Sequence, residues 1–174
     1  MSSSLSSSGR VRSEKLSSPR NSGGSGNRLN AWLPVVLCVL VIATESTAAF
    51  GADHTSGPLQ HFLESLLHRR FTQPQWWRLH IIIRKCGHFL GYGILSLAWL
   101  RAFRMTLPPA FDPRRRLINC HVQAMLGTLF IACCDEFHQT FLPNRSGSVW
   151  DVLVDCSGAA LLQLLAWLWL RKRV

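Results

Sequence analysis

The feature that most constrains this chain is a set of four long apolar blocks, each near the length needed to cross a bilayer. A soluble domain mixes its apolar and polar residues, whereas here apolar residues reach 48% of the chain, charged residues only 16%, and the apolar ones lie in long runs. The sequence therefore predicts an all-α integral membrane protein with a bundle of four transmembrane helices. The predicted spans are residues 31–50, 86–103, 117–134 and 149–170.

The segments outside these blocks have their own character. Residues 1–30 are rich in Ser, Gly and Arg, which predicts a disordered, basic, cytoplasmic tail before a membrane domain at 31–174. A cleaved signal peptide is the alternative interpretation of the first block, because small residues follow it at 47–49. Between Ser56 and Arg70, apolar residues recur at helical spacing. This predicts an extra amphipathic helix, either in the membrane interface or packed against the bundle.

The net charge of +10 could indicate a nucleic-acid partner. The cations, however, cluster at the ends of apolar blocks, so membrane topology explains them better, and no nucleic acid is expected. In a four-span chain the clusters fall on one side, and an excess of Lys and Arg marks the cytoplasmic side. Both termini are therefore predicted to be cytoplasmic. The clusters are Arg10, Arg12, Lys15, Arg20 and Arg28; Arg101, Arg104 and Arg114 to Arg116; and Arg171, Lys172 and Arg173.

Small residues of two kinds lie within the blocks. The six cysteines lack the spacing of a zinc site and are interpreted as small buried apolar residues rather than a disulfide framework. Gly87 and Gly91 form a small-xxx-small pair, which predicts close approach of a neighbouring helix and leaves a homodimer through that face open. The cysteines are Cys38, Cys86, Cys120, Cys133, Cys134 and Cys156.

Polar residues of three spans converge at the outer end of the predicted bundle. Residues three or four apart share a helix face, so they form three stripes. Because ionisable groups inside a membrane are functional candidates by default, this end is the predicted site. The stripes are Lys85, His88 and Tyr92; Asp135, His138 and Gln139; and Asp151 with the deeper Asp155.

Three hypotheses follow from these residues and stay open. In a scaffold, Lys85 or Arg145 would only neutralise Asp135 or Asp151. In a binding protein, Lys85 and Arg145, with His88, would clamp an anionic headgroup such as a lipid phosphate or pyrophosphate.

In an enzyme, the same end would hydrolyse or transfer a group of a lipid-linked substrate, by acid–base chemistry or through a divalent metal. Since the chain has no established metal-ligand motif, no metal site is predicted and the cofactor stays unknown. The candidate acid–base residues are His88, His138, Asp135, Glu136 and Asp151.

Two sequence runs, KCGHFLGY at 85–92 and DEFHQTFLPNR at 135–145, are followed by Asp151, Asp155 and Gly158. With these residues the chain resembles VanZ-like membrane proteins over roughly residues 31–170. It departs from the family pattern at Gly91, where many members have Glu, and in its Ser-rich tail.

The resemblance implies a small four-span protein of the bacterial inner membrane. The namesake of the family confers low-level resistance to the glycopeptide teicoplanin. We therefore expect a cell-envelope protein, linked to antibiotic resistance, that engages a lipid-linked or cell-wall ligand at the outer leaflet. By match to the motif, the ligand-binding positions are Lys85, Tyr92, Gln139 and Arg145, the catalytic candidates are His88, Asp135, Glu136 and Asp151, and Pro143 completes the motif.

Overall fold

The computed structural model describes residues 24–47, 52–109, 111–142 and 147–173. Within these residues the chain forms five helices and no strand. Four of them, all but α2, are long and apolar enough to cross a membrane. The predicted all-α architecture with four spans and one additional helix is confirmed. The helices are α1 (Gly24–Glu45), α2 (Ala52–Leu67), α3 (Gln73–Thr106), α4 (Pro113–Gln139) and α5 (Val149–Leu170).

Helix α3 is the centre of the bundle and packs against α1, α4 and α5. Near the end of α3, Arg101 contacts the Asn30 carbonyl oxygen at the start of α1, so these helices are antiparallel. Lys85, in the first half of α3, meets Asp151 at the start of α5, so those two run parallel. Because the connection from α3 to α4 is short, α4 is antiparallel to both. The start of α1 and the end of α5 therefore lie at one end of the bundle.

The outward surface of the bundle is strongly apolar. Leu126, Phe130 and Leu164 are 59%, 66% and 53% exposed, and no described residue covers them. An apolar surface of this extent is unfavourable in water and stable against lipid tails. Together with the four long apolar helices, it identifies a multi-pass membrane protein.

The first span differs from its predicted bounds of 31–50. Helix α1 begins at Gly24, within the predicted tail, and ends at Glu45. Pro34 consequently lies inside the helix rather than in its first turn. Because proline has no N–H, it cannot donate a hydrogen bond to the carbonyl oxygen four residues earlier. That carbonyl belongs to Asn30, and Arg101 of α3 donates to it at 2.8 Å instead. The sequence pattern missed this long-range partner.

Two other spans are also longer than predicted. Helix α3 begins at Gln73, where Pro74 lies in its first turn and Gln75 accepts a hydrogen bond from the Thr72 amide. Its 34 residues extend over about 51 Å, well beyond the bilayer core. Helix α4 begins at Pro113, after the capping residue Asp112, and continues to Gln139. Start signals, rather than apolar length, determine where these helices begin.

The glycines that allow close helix packing are not the predicted pair. A Cβ atom at Gly87 or Gly91 would meet nothing within 4 Å, so no described helix approaches there. A Cβ atom at Gly158 of α5 would instead overlap the Phe89 carbonyl oxygen of α3, and Gly93 lies beside this contact. The prediction was wrong for neighbours within the chain, because spacing alone does not say which face meets a partner. A homodimer through Gly87 and Gly91 stays a prediction.

All six cysteines are free thiols. Cys120 is buried as predicted, whereas Cys86, Cys133 and Cys134 are exposed on the outside of the bundle. The prediction that all six are buried was wrong, since a lipid-facing surface accepts small apolar side chains as readily as a core does.

Candidate functional site

Lys85, His88 and Tyr92 form a stripe on α3, here called the α3 stripe. Each of these three side chains meets an acidic side chain of another helix. The contacts join different helices, so the predicted convergence of Lys85, His88 and Tyr92 with the acids of α4 and α5 is present in the structure. From the rim inward, Lys85 forms an ion pair with Asp151, His88 Nδ1 lies 3.4 Å from Asp155 Oδ1, and Tyr92 donates to Asp135 Oδ2 at 3.1 Å.

Helix geometry and one close contact produce this arrangement. Positions 85, 88 and 92 share one face of α3, and Asp151 and Asp155 share one face of α5. The contact between Gly158 and the Phe89 backbone brings the two helices together one turn deeper than Asp155. The two stripes therefore face each other level by level.

Asp155 is the most unusual of these residues. Its side chain is fully buried, at 0% exposure, and neither carboxyl oxygen accepts a hydrogen bond from a described residue. A buried polar group without a hydrogen bond costs about 1–3 kcal/mol. Its close contact with His88 is longer than a normal hydrogen bond. Such a group is a candidate for binding something that the chain itself does not provide.

The two acids of α4 have partners within the protein. Asp135 Oδ2 accepts a hydrogen bond from Tyr92 and another from Gln139 Nε2 at 3.2 Å. Glu136 Oε2 accepts from the Ser148 amide at 2.8 Å, which joins the end of α4 to the start of α5. Both side chains are buried. They therefore support the shape of the site, whatever else they do.

A cavity of about 120 Å³ opens between α3, α4 and α5 at this end. We call it the polar cleft. It has room for several water molecules or a small polar group. Ile81 and Val154 supply an apolar part of its wall, and Asp155 lies at its inner side. The polar residues that line it are Arg84, Lys85, His88, Glu136, Gln139, Asp151 and Asp155.

Not every predicted site residue lines the polar cleft. His138 is exposed on the outside of α4, away from the acids with which it was grouped. Tyr92 and Asp135 form their hydrogen bond beside the lining rather than within it. Pro143 and Arg145 lie outside the described residues, so the contacts predicted for them stay predictions.

Arg84 is a lining residue that sequence reasoning missed. It lies four residues before His88 and so on the same side of α3, a spacing that could have identified it. Among the described residues, no group of three or more His, Cys, Asp or Glu side chains is arranged to hold a metal ion.

A second polar contact lies deeper in the bundle. His121 of α4 contacts the Gln163 side chain of α5, whose Nε2 donates to the Ser96 carbonyl oxygen of α3 at 2.8 Å. His121 also packs edge-on against Trp167, with ring centroids 5.4 Å apart. This network connects three helices.

Comparison with known proteins gives one family. The family model described as VanZ/LLP1 matches residues 31–170, which include most of α1 and all of the other four helices. No curated protein and no solved structure matches the chain. The matched residues contain the whole polar cleft and most of the transmembrane bundle. The protein therefore belongs to the VanZ/LLP1 family.

Proposed function

We propose that this protein binds the headgroup of a lipid-linked or cell-wall ligand in the polar cleft, at the outer leaflet of a bacterial inner membrane. The observation that carries the proposal is the fully buried Asp155, which lines the cleft and accepts no hydrogen bond from a described residue. A ligand hydroxyl or amide N–H would supply the missing donor.

The chemistry of the lining defines the ligand class. Lys85 and Arg84 can donate to phosphate oxygens, whereas Glu136, Asp151 and Asp155 would repel a bare phosphate. A ligand that carries an anionic group and also hydroxyl or amide donors satisfies both sets. Phosphate-linked sugars and amides of wall precursors have this combination.

The rim of the cleft can open at low cost. The side chains of Lys85 and Asp151 are 50% and 38% exposed, and an ion pair at such a site contributes at most about 1 kcal/mol. An anionic ligand group could therefore replace Asp151 beside Lys85. The predicted clamp residue Arg145 would add a second cation to this contact.

The orientation of the bundle is part of the proposal. The end of the bundle that holds Arg101, Arg104 and Arg114 to Arg116 would be cytoplasmic, because Lys and Arg are retained on that side. In a variant without native cysteines, Cys introduced at Val149 should react with an impermeant thiol reagent on intact cells, and Cys introduced at Arg115 should not. The reverse pattern would refute an outer-leaflet cleft.

The link to glycopeptide resistance is testable in a bacterial host. Expression of the protein should lower susceptibility to teicoplanin, and Lys85→Met and Asp155→Asn should each abolish the effect at equal membrane abundance. Arg114→Met and Asp112→Asn make the same chemical changes at the other end of the bundle and should retain it. Resistance that survives in the cleft variants would contradict binding in the cleft.

A direct measurement separates binding from a scaffold role. Purified wild-type protein should retain a lipid-linked wall precursor added in detergent, whereas Asp155→Asn should lose it with unchanged thermal stability. If the variant instead unfolds at a much lower temperature and binds normally, Asp155 serves only the packing of the helices.

A further inference from the structure

We infer that the opposite end of the bundle holds a binding site for the phosphate of an anionic phospholipid from the surrounding bilayer. The site is a groove of about 460 Å³ between the end of α3, the start of α4 and the end of α5. We call it the arginine groove. Its cationic residues are Arg101, Arg104 and Arg116, and Trp169 and Leu100 contribute to its apolar wall. This inference is independent of the function proposed for the polar cleft.

The three arginines are held in different ways. Arg116 donates through Nε and Nη2 to the carbonyl oxygens that end α3, including that of Arg104 at 2.7 Å. Arg101 donates through Nη1 to carbonyl oxygens of α1. These bonds fix both guanidinium groups and leave further N–H donors for a ligand. The Arg104 side chain makes no hydrogen bond or ion pair with any described residue.

No acid among the described residues is placed to neutralise Arg104. Between residues 97 and 134, and from 156 to the end of the sequence, the only acidic residue is Asp112. Asp112 contacts Arg115, at 3.5 Å, and accepts from the Arg114 amide. It does not line the arginine groove. A cluster of guanidinium groups, two of them held by hydrogen bonds and none beside a carboxylate in the groove lining, is complementary to a phosphate.

The surroundings favour a phospholipid over a soluble phosphate. The groove continues from the arginines onto Leu97, Leu100 and Ala166, which can contact an acyl chain. Trp169, at the edge of the groove, is 57% exposed, and the Arg173 guanidinium lies 3.8 Å above its indole ring. Tryptophan beside cations is typical of headgroup depth, and basic pockets between transmembrane helices bind anionic headgroups.

The test uses the full-length protein and two variants of equal net charge. Arg104→Gln removes the unpaired guanidinium of the groove, whereas Arg114→Gln removes an exposed one outside it. Neither arginine side chain bonds to another helix, so both variants should keep the thermal stability of the wild type. Each protein is placed in nanodiscs of phosphatidylcholine and phosphatidylglycerol, and co-purified lipid is measured by native mass spectrometry.

We expect wild-type protein and Arg114→Gln to retain one phosphatidylglycerol molecule in preference to phosphatidylcholine. Arg104→Gln should lower that preference about fivefold, the effect of one cation near a membrane surface. Equal losses in the two variants would show a diffuse cationic surface and overturn the site. Equal retention of both lipids by the wild type would overturn it as well.

Discussion

The two ends of the transmembrane bundle both carry several charged residues, but they use them differently. At the polar cleft, Lys85 and His88 each meet an acid from another helix. At the arginine groove, the bonded guanidinium groups donate to backbone carbonyl oxygens, and Arg104 has no partner among the described residues. The first end contains charges of both signs, and the second is almost purely cationic.

This difference shows two uses of charge in a membrane protein. Side chains of opposite sign on different helices fix the level at which those helices face each other. They also form a site in which the Asp155 carboxyl accepts no hydrogen bond from a described residue. Guanidinium groups satisfy carbonyl oxygens at the end of α3 and the Asn30 carbonyl oxygen beside Pro34, which water or lipid headgroups would otherwise serve. The following changes test this contrast, from the largest expected effect to the smallest.

The largest effect is expected from Gly158→Ala. The added methyl group would overlap the Phe89 carbonyl oxygen and separate α3 from α5, so we expect a loss of about 2–3 kcal/mol in the free energy of unfolding. Gly91→Ala, where a Cβ atom meets nothing, is the matched control and should raise stability by up to about 1 kcal/mol. Unfolding in detergent measures both. If the two variants had the same free energy of unfolding, the close packing of α3 against α5 would not be what aligns the polar cleft.

Arg116→Met tests the structural role of the arginine end. Loss of the guanidinium leaves the carbonyl oxygens of Arg104, in α3, and of Pro108, just after it, without its donors, and we expect a cost of about 1–2 kcal/mol. The same change at the exposed Arg114 should stay within about 0.5 kcal/mol. If the two variants unfold alike, the bonds to the carbonyl oxygens contribute nothing, and this end of the bundle depends on lipid alone.

Tyr92→Phe removes one hydrogen bond from the innermost level of the α3 stripe. Asp135 keeps its bond from Gln139, so we expect a loss of only about 1 kcal/mol. The phenylalanine ring should occupy the same buried position as the Tyr92 ring, because the change removes only the hydroxyl group. In the Tyr92→Phe background, Asp135→Asn should then lower the free energy of unfolding by less than it does in the wild type, because the Tyr92–Asp135 hydrogen bond is already absent. Strict additivity would show that the Tyr92–Asp135 contact is not an energetic link.

The smallest effect concerns the connection between α2 and α3. The Phe71 amide donates to Glu64 at 2.9 Å, and this bond, with a second from Gln60, lowers the pKa of the Glu64 carboxyl. A lowered pKa in the folded state stabilises the connection above the ordinary pKa of glutamate, and this stabilisation is lost as the pH falls through the folded value.

The Phe71 amide resonance should therefore shift only at a pH below the ordinary pKa of glutamate. The Glu64→Gln variant should show no such shift. A midpoint at or above the ordinary value for glutamate would contradict the bond.

Much of the site could be predicted because helix periodicity is local. The spacing of Lys85, His88 and Tyr92, and of Asp151 and Asp155, places each set on one face whatever surrounds it. Alternating direction of four spans then brings these faces to one end. The same reasoning could not choose which cation pairs with which acid, because the axial offset between helices comes from contacts such as that of Gly158 with Phe89.

Helix bounds were missed for a different reason, because the local start signals were not used. Apolar length alone suggested a second span at 86–103, whereas capping and Pro74 start α3 at Gln73. His138 has the spacing of its stripe, yet it is exposed, because it lies about 60° around the helix from Asp135, on the side away from the buried Glu136 and Gln139.

By itself the sequence determined the membrane environment, the number of spans and the faces that carry the polar residues. These follow from residue type and local spacing, which depend on no distant contact. Only the tertiary structure decided that His88 lies beside Asp155, that Arg101 donates to the carbonyl oxygen that Pro34 cannot serve, and that Asp155 accepts no hydrogen bond from a described residue. Each depends on how closely and at what level two helices pack, and that is set by side chains far apart in the chain.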